Sequence, residues 1–179
     1  MRFIKNSVEF KLYELDSESE LREYIRANKG ITVGNDAQVK RKFYVIENLN
    51  DNVKKVVGIL NEGHGIIPTI VKFKNTDAVV FTSDKSIYFF DTKKNEVTKT
   101  LLCYSLIFDV VTRENEGKMF IICELGIQCL TITGDKIWAY DSEIVSDFAF
   151  YDDYVKLTVE DIDYKISLLN GEILQKISI

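Results

Sequence analysis

The only histidine of the chain, His64, stands in the run Asn61-Glu62-Gly63-His64-Gly65. Imidazole changes charge near neutral pH, and a carboxylate such as Glu62 is the usual partner that orients a general base. The glycines on either side allow backbone to approach a ligand closely. A nucleophile to complete the pair is missing. The sequence has no G-x-S-x-G, no Walker A, no dinucleotide glycine pattern and no H-E-x-x-H. The run therefore reads first as an exposed loop, and second as the site of a small-ligand sensor or enzyme at the mouth of a domain.

Carboxylates are the other chemical resource, and they are unevenly spread. From Asp135 to the end, ten Asp or Glu stand against four Lys, so this stretch is near -6 while the rest of the chain is near +1. Asp141, Glu143 and Asp147 fall in one connection, and Glu160, Asp161 and Asp163 fall at one hairpin tip. A surface of one sign speeds encounter with a partner of the other sign. A bound metal is not expected, because no D-x-D-x-D-G loop converges oxygens on one point. Asp152-Asp153 sits at a turn, where adjacent side chains diverge.

The cysteines, Cys103, Cys123 and Cys129, are odd in number and lie in apolar contexts. Buried free thiols are expected. Cys123 and Cys129 flank the turn Glu124-Leu125-Gly126-Ile127, so they are expected as diagonal neighbours across a hairpin, a poor geometry for a disulfide. No fourth Cys or nearby His completes a zinc site. No cofactor is expected.

Whole-chain numbers exclude several classes. A net charge of -5 over 179 residues lacks the basic stripe that displaces counterions from a nucleic acid. The same charge disfavours anionic membrane surfaces. The start, MRFIKNSVEFKLYEL, alternates apolar and polar residues without the apolar core of a secretory signal, and no stretch reaches the length of a membrane span. A cytoplasmic location is expected.

The elements that must position these residues are mostly strands. Tyr 9 and Phe 11, together with frequent Val and Ile and a single Pro, favour them. An N-terminal hairpin is expected from Arg2–Ile4 and Val8–Leu15. One helix follows: Ser17-Glu18-Ser19-Glu20 fits a capping box. Leu21, Tyr24, Ile25 and Asn28 share a face, and Gly30 is the expected residue at the stop. This helix is expected to pack over one side or edge of a sheet. The polar run 34–42 is expected as a loop.

A recurring hairpin then sets the architecture. FYVIENLNDNVKKVV (Phe43–Val57) lies without a gap on IYFFDTKKNEVTKTL (Ile87–Leu101), and the pattern returns as CLTITGDKIWAYD and ISLLNGEILQKIS. The apolar residues expected as anchors after the turns, Val53, Val97, Ile137 and Ile173, are spaced by 44, 40 and 36 positions. Gly134-Asp135 and Asn170-Gly171 are turn dipeptides that allow positive φ. A further strand pair precedes three of these hairpins: Thr69–Phe73 with Ala78–Phe81, Leu106–Val111 with Met119–Cys123, and Phe148–Phe150 with Tyr154–Val159. Four short antiparallel strands in 36 to 44 residues is the period of a β-propeller blade. The C-terminal units, through GDKIWAYD and NGEILQKIS, resemble the repeats of quinoprotein-like and WD-like propellers. That resemblance implies outer strands that dock between blades, and it concerns architecture only.

The expected fold is mainly β: four-stranded antiparallel repeats that form a small, about four-bladed propeller-like domain or an open meander, with a sandwich or unrelated barrel as the remaining choice, and one N-terminal helix. The expected organisation is a single domain over 1–179. It comprises a hairpin plus helix at 1–42, a partial blade at 43–65 completed by the N-terminal hairpin, and blades at 66–103, 104–143 and 144–179. In such a meander the tips between second and third strands and the connections between blades fall on one face. Asp141, Glu143, Asp147, Glu160, Asp161 and Asp163 are therefore expected to share a face, with Asp84 and Glu124 at the equivalent tips. The expected function is a non-enzymatic protein-interaction module with a basic protein partner, of the kind of a bacterial immunity protein or a scaffold subunit. The alternative is the sensor or enzyme at Glu62 and His64.

Overall fold

The structure is a computed structural model that describes residues 1–6, 10–34, 39–48, 54–74 and 76–178. Val8, Val53 and the centre of the expected loop at 34–42 lie outside the described residues. The chain forms two compact units, Met1–Thr100 and Leu101–Ile179.

The first unit opens with β1 (Arg2–Asn6), β2 (Phe10–Leu15), α1 (Glu18–Ala27), β3 (Ile31–Val33), β4 (Lys42–Asn48) and β5 (Lys55–Asn61). These make one sheet in the order β1-β2-β4-β5-β3. The N-terminal hairpin thus supplies the first two strands, and the hairpin β4–β5 the next two. Leu12 stands opposite Ile46, and Val45 opposite Gly58. The short β3 joins the far edge parallel to β5, a strand that the four-strand repeat does not predict. The second sheet is a meander of β6 (Ile70–Lys72), β7 (Ala78–Ser83), β8 (Ser86–Asp91) and β9 (Glu96–Leu102).

Alternation along β4 explains why it reads as one apolar run. Tyr44 and Ile46 join Leu12, Val57 and Ile59 in a core shared with Val79, Phe81, Tyr88 and Phe90 of the second sheet. Phe43 and Val45 point the other way, to Leu15, Val56, Leu60 and the helix residues Leu21 and Ile25. A strand covered on both faces needs no polar side.

The helix starts where its capping signal predicts. Ser17 is the N-cap and its hydroxyl accepts the Glu20 N–H at 3.1 Å. The Glu20 carboxylate turns back one residue further than in a capping box, to the Asp16 N–H at 3.0 Å. The stop corrects the expectation. Asn28 is the C-cap, and Lys29, at φ 52, takes the left-handed position expected of Gly30. The Lys29 and Gly30 N–H groups then bond the Arg26 and Ile25 carbonyls at 3.3 and 2.9 Å, a Schellman pair. Gly30 is required for another reason: a Cβ there would stand 2.5 Å from the Val56 carbonyl oxygen. The helix lies over Gly58, whose missing side chain leaves room for Leu21 and Ile25. A polar clamp closes its flank: the Tyr24 hydroxyl donates to buried Glu47, which also accepts Lys54 at 2.6 Å.

The second unit consists of two meanders. One is β10 (Ile107–Arg113), a 3-10 turn (Glu114–Glu116), β11 (Lys118–Cys123), β12 (Gly126–Thr131) and β13 (Lys136–Asp141). The other is β14 (Val145–Phe150), β15 (Tyr154–Val159), β16 (Ile162–Ser167) and β17 (Ile173–Ser178). No ladder joins one sheet to another among the described residues. Phe120, Ile122, Ile127, Cys129 and Trp138 of the first meander pack with Val155, Leu157, Val159 and Ile166 of the second. Trp138 reaches the β16–β17 turn, where a Cβ on Gly171 would stand 2.7 Å from its ring. Gly134 and Gly171 hold φ of 82 and 76, as their turn dipeptides require.

Two expectations fail here. Ile137 and Ile173 are not core anchors; they are 44% and 42% exposed. Bulges between Cys129 and Leu130 and between Lys165 and Ile166 shift the register opposite them, and Trp138 takes the inward place in β13. Nor are Cys123 and Cys129 cross-hairpin neighbours. Cys123 stands opposite Gly126 and Cys129 opposite Phe120, and an odd number of strand positions along β11 puts them on opposite faces.

Candidate functional site

Strand register places most of the expected carboxylates at one end of the second unit. The β11–β12 tip, Glu124-Leu125, lies beside the end of β13, and the β15–β16 tip, Glu160-Asp161, lies beside the start of β14. The connection from Asp141 to Val145 joins these two sheet ends. It is tied down by backbone bonds from Ser142 N–H to the Leu125 carbonyl (3.2 Å) and from Val145 N–H to the Glu124 carbonyl (2.8 Å). Tips and connections therefore meet at the same end, and Asp141, Glu143, Asp147, Glu160 and Asp161 stand exposed there. None of these five has an ion pair within 4 Å among the described residues.

Asp163 is different. It stands opposite Thr158 on the outer face of the sheet, accepts that hydroxyl at 2.6 Å and Lys156 Nζ at 3.1 Å, and is mostly covered. The Thr158 hydroxyl, and then Lys156, hold its carboxyl below the ordinary range. Its charge is spent inside the sheet. With Asp147, Lys156, Thr158 and Lys165 it makes that outer face polar.

The tip Glu160-Asp161 has unusual backbone. The loop between paired Val159 and Ile162 has two residues, and both are left-handed, with φ 49 and 62. Such a turn favours Asn-Gly, because side chains other than Asn and Asp crowd the backbone there. Glu160 is thus held at this tip against its local preference, next to an aspartate that such backbone tolerates better. The double variant Glu160→Asn with Asp161→Gly should melt about 3 °C higher than the native chain. An unchanged or lower melting temperature in a calorimetric scan would show that the turn is not strained.

Beside this end, a cleft of about 390 Å³ is lined by Tyr104, Leu125, Ala139 and Asp141, among others. Tyr104 and its neighbour Leu102 are 84% and 79% exposed. Sequence reading did not single them out, since an aromatic next to an apolar run reads as core.

In the first unit the loop of His64 meets a tip in the same manner. His64 Nε2 lies 3.0 Å from Glu62 Oε2, while the Glu62 N–H donates to Asp84 Oδ2 (2.9 Å). Buried Asn61 anchors the loop: its Oδ1 accepts the Gly63 N–H at 2.8 Å and its Nδ2 donates to Ser83 Oγ at 3.2 Å. Asp84, at φ 50, is the residue that the structure adds here. Burial, helped by the Glu62 carboxylate, pushes its carboxyl above the ordinary value, although the Glu62 N–H pulls the other way. Its Oδ1 is buried with no hydrogen-bond partner among the described residues. The geometry fixes a loop; among the described residues, Glu62 is the one hydrogen-bond partner of the His64 ring.

The sign of the Asp84 effect is testable. A raised folded value means that the ionised carboxyl opposes folding: this contribution vanishes below the unfolded value near 3.8 and is fully present above the folded one. Asp84→Asn keeps an acceptor and tolerates positive φ. Its melting temperature should exceed the native one at pH 7, with the gap closing toward pH 4. A gap that ignores pH would contradict the burial account.

Solved structures show the same repeat. The β-propeller domain of Cps50 (Swd1) from Myceliophteria thermophila is similar to this chain with a TM-score of 0.55 and 10% identity, covering 76% of this chain and 53% of that one. The WD40 domain of Toxoplasma gondii coronin gives 0.58 and 11%, covering 95% and 43%. The architecture is a propeller-type repeat. The chain spans about half the length of the propeller chains that it matches. At these identities the likeness concerns the fold alone. No family model matches the chain, and no curated protein matches its sequence. No helix among the described residues is long and apolar enough to cross a membrane.

Proposed function

We propose that the protein is a non-enzymatic interaction module of the cytoplasm that docks a basic protein partner on the carboxylate end of its second unit. The single observation behind this reading is the set Asp141, Glu143, Asp147, Glu160 and Asp161: five exposed carboxylates at one sheet end, without ion pairs among the described residues. An exposed charge that is not neutralised internally remains available to steer a cation. Two of the five sit on backbone that would prefer Asn-Gly, which favours a role for their charge over a role in the fold. The propeller-type fold is compatible with such a role without dictating it. Glu62 and His64 are assigned to positioning the loop of the first unit, because their polar atoms are engaged with each other and with the neighbouring tip.

Co-purification from native lysate at about 50 mM and about 500 mM salt tests the proposal, since the Debye length falls severalfold between them. A basic protein should be retained at the lower salt and released at the higher. Partners that are acidic, or that bind equally at both salts, would refute the charge-steered docking.

A further inference from the structure

We infer that the cleft beside the carboxylate end of the second unit holds an arginine side chain of the docked protein. The inference rests on the docking reading for its occupant, and it names the residue by which that partner is gripped. The cleft of about 390 Å³ is of the size of small-ligand clefts, about 300–1,000 Å³, and has room for one long side chain.

Its lining selects a planar, weakly hydrated cation. Tyr104, on the connection from β9 to β10, is 84% exposed, and its ring is an open aromatic face. Asp141 ends β13 opposite Gly126, so no cross-strand side chain screens its carboxylate. A guanidinium stacks on an aromatic face while it offers paired N–H donors to a carboxylate. An ammonium is more strongly hydrated and gains less in such a place. Gln128 stands opposite Ala139, on the same face as Asp141, and the two form the floor. Ala139 and Leu125 offer apolar surface to the arginine methylenes, and the Gln128 side-chain oxygen is a further acceptor. Lys136 lies at the other end of β13, about 15 Å from Asp141 along the strand, with no ion pair between them among the described residues. Its ammonium bars a cation from that end and leaves the Asp141 end as the seat. The walls are tied together by backbone. Ser142 N–H bonds the Leu125 carbonyl at 3.2 Å, and Leu125 N–H bonds Ser105 Oγ, next to Tyr104, at 3.1 Å. A cleft whose walls are set beforehand orders less on binding. Salt screens the approach of the partner more than it screens this covered contact.

The test uses blocked tripeptides, acetyl-Gly-Arg-Gly-amide and its lysine and citrulline counterparts, titrated into the isotope-labelled full chain. Citrulline keeps the shape of arginine without its charge. The arginine peptide should shift the amide signals of Leu125, Gln128, Ala139 and Asp141, with a dissociation constant on the order of a millimolar. The lysine peptide should bind about threefold more weakly, and the citrulline peptide should leave the signals in place. Tyr104→Ala should weaken the arginine peptide about fivefold, while Tyr104→Phe, which keeps the ring, should match the native chain. Equal shifts from the arginine and citrulline peptides, shifts only outside the cleft, or native binding by Tyr104→Ala would each overturn the inference. Tyr104→Ala alters no charge, so it separates the cleft from the docking reading. With the protein recovered by co-purification it should speed dissociation about fivefold and leave association unchanged. Unchanged dissociation would remove the arginine seat and leave charge-steered docking intact. Binding of the arginine peptide with no basic protein retained at low salt would do the reverse.

Discussion

Phe120→Ala is expected to be the most damaging single substitution in the second unit, with a loss of about 3–5 kcal/mol. Phe120 is fully buried in β11, an inner strand of its sheet. It stands opposite Val111 on one side and Cys129 on the other. Its ring packs 6.0 Å from Trp138 and 5.6 Å from Phe150, so it links the first meander to the second. Truncation removes transfer free energy and leaves a void that rigid neighbouring strands cannot close. Against a total stability on the order of 5–15 kcal/mol, that is a third or more of the whole. Urea unfolding followed by Trp138 fluorescence should show a much lower midpoint with an unchanged slope. Ile137→Ala, on the same meander but 44% exposed, should shift the midpoint by an amount equal to about 0.5 kcal/mol or less. If both variants shift the midpoint alike, Phe120 does not hold the two meanders together.

The contrast between Phe120 and Ile137 shows what the sequence discloses and what it hides. The strands were legible because Gly134-Asp135 and Asn170-Gly171 mark turns and because the runs between turns are β-branched and aromatic. Their faces were less so. A single bulge exchanges inward and outward residues, and nothing in CLTITGDKIWAYD announces one between Cys129 and Leu130. That is why Ile137 reads as the anchor when Trp138 is. The same blindness to parity pairs Cys123 with Cys129, although the register opposite Gly126 and Phe120 sets them on opposite faces of the sheet.

The candidate site divides along the same line. That tips and connections gather at one end follows from the topology of a meander, so the grouping of Asp141, Glu143, Glu160 and Asp161 was open to reading. Which carboxylates are neutralised was not, because that depends on cross-strand register. Asp163 is two positions from Asp161, yet it faces Thr158 and Lys156 across the ladder. Asp84 behaves likewise: sequence places it at a tip, while only the structure places its carboxylate against the Glu62 N–H. The strand β3 escaped because three residues, Ile31-Thr32-Val33, are too few to show a period, and its parallel partner β5 is far along the chain.

Neutralising the tip and connection charges should slow partner capture about tenfold, and position should matter more than net charge. The decisive comparison uses two triple variants in the same sheet system. One changes Asp141, Glu160 and Asp161 to their amides; the other changes Asp152, Asp153 and Glu172. Each takes the net charge from -5 to -2. The first set lies at the end of the β15–β16 tip. The second lies at the opposite end, at the β14–β15 and β16–β17 turns. Association with the protein recovered by co-purification, measured at about 50 mM salt, should slow about tenfold for the first triple and by less than about twofold for the second, because a Debye length near 10–15 Å separates the two ends electrostatically. Raising the salt should slow the native chain toward the rate of the first triple, while dissociation changes little, as expected of rim charges that steer encounter. Equal slowing by both triples would mean that net charge alone acts and that the carboxylate end is not the docking site. Slowing by neither would leave the five exposed carboxylates without a part in binding.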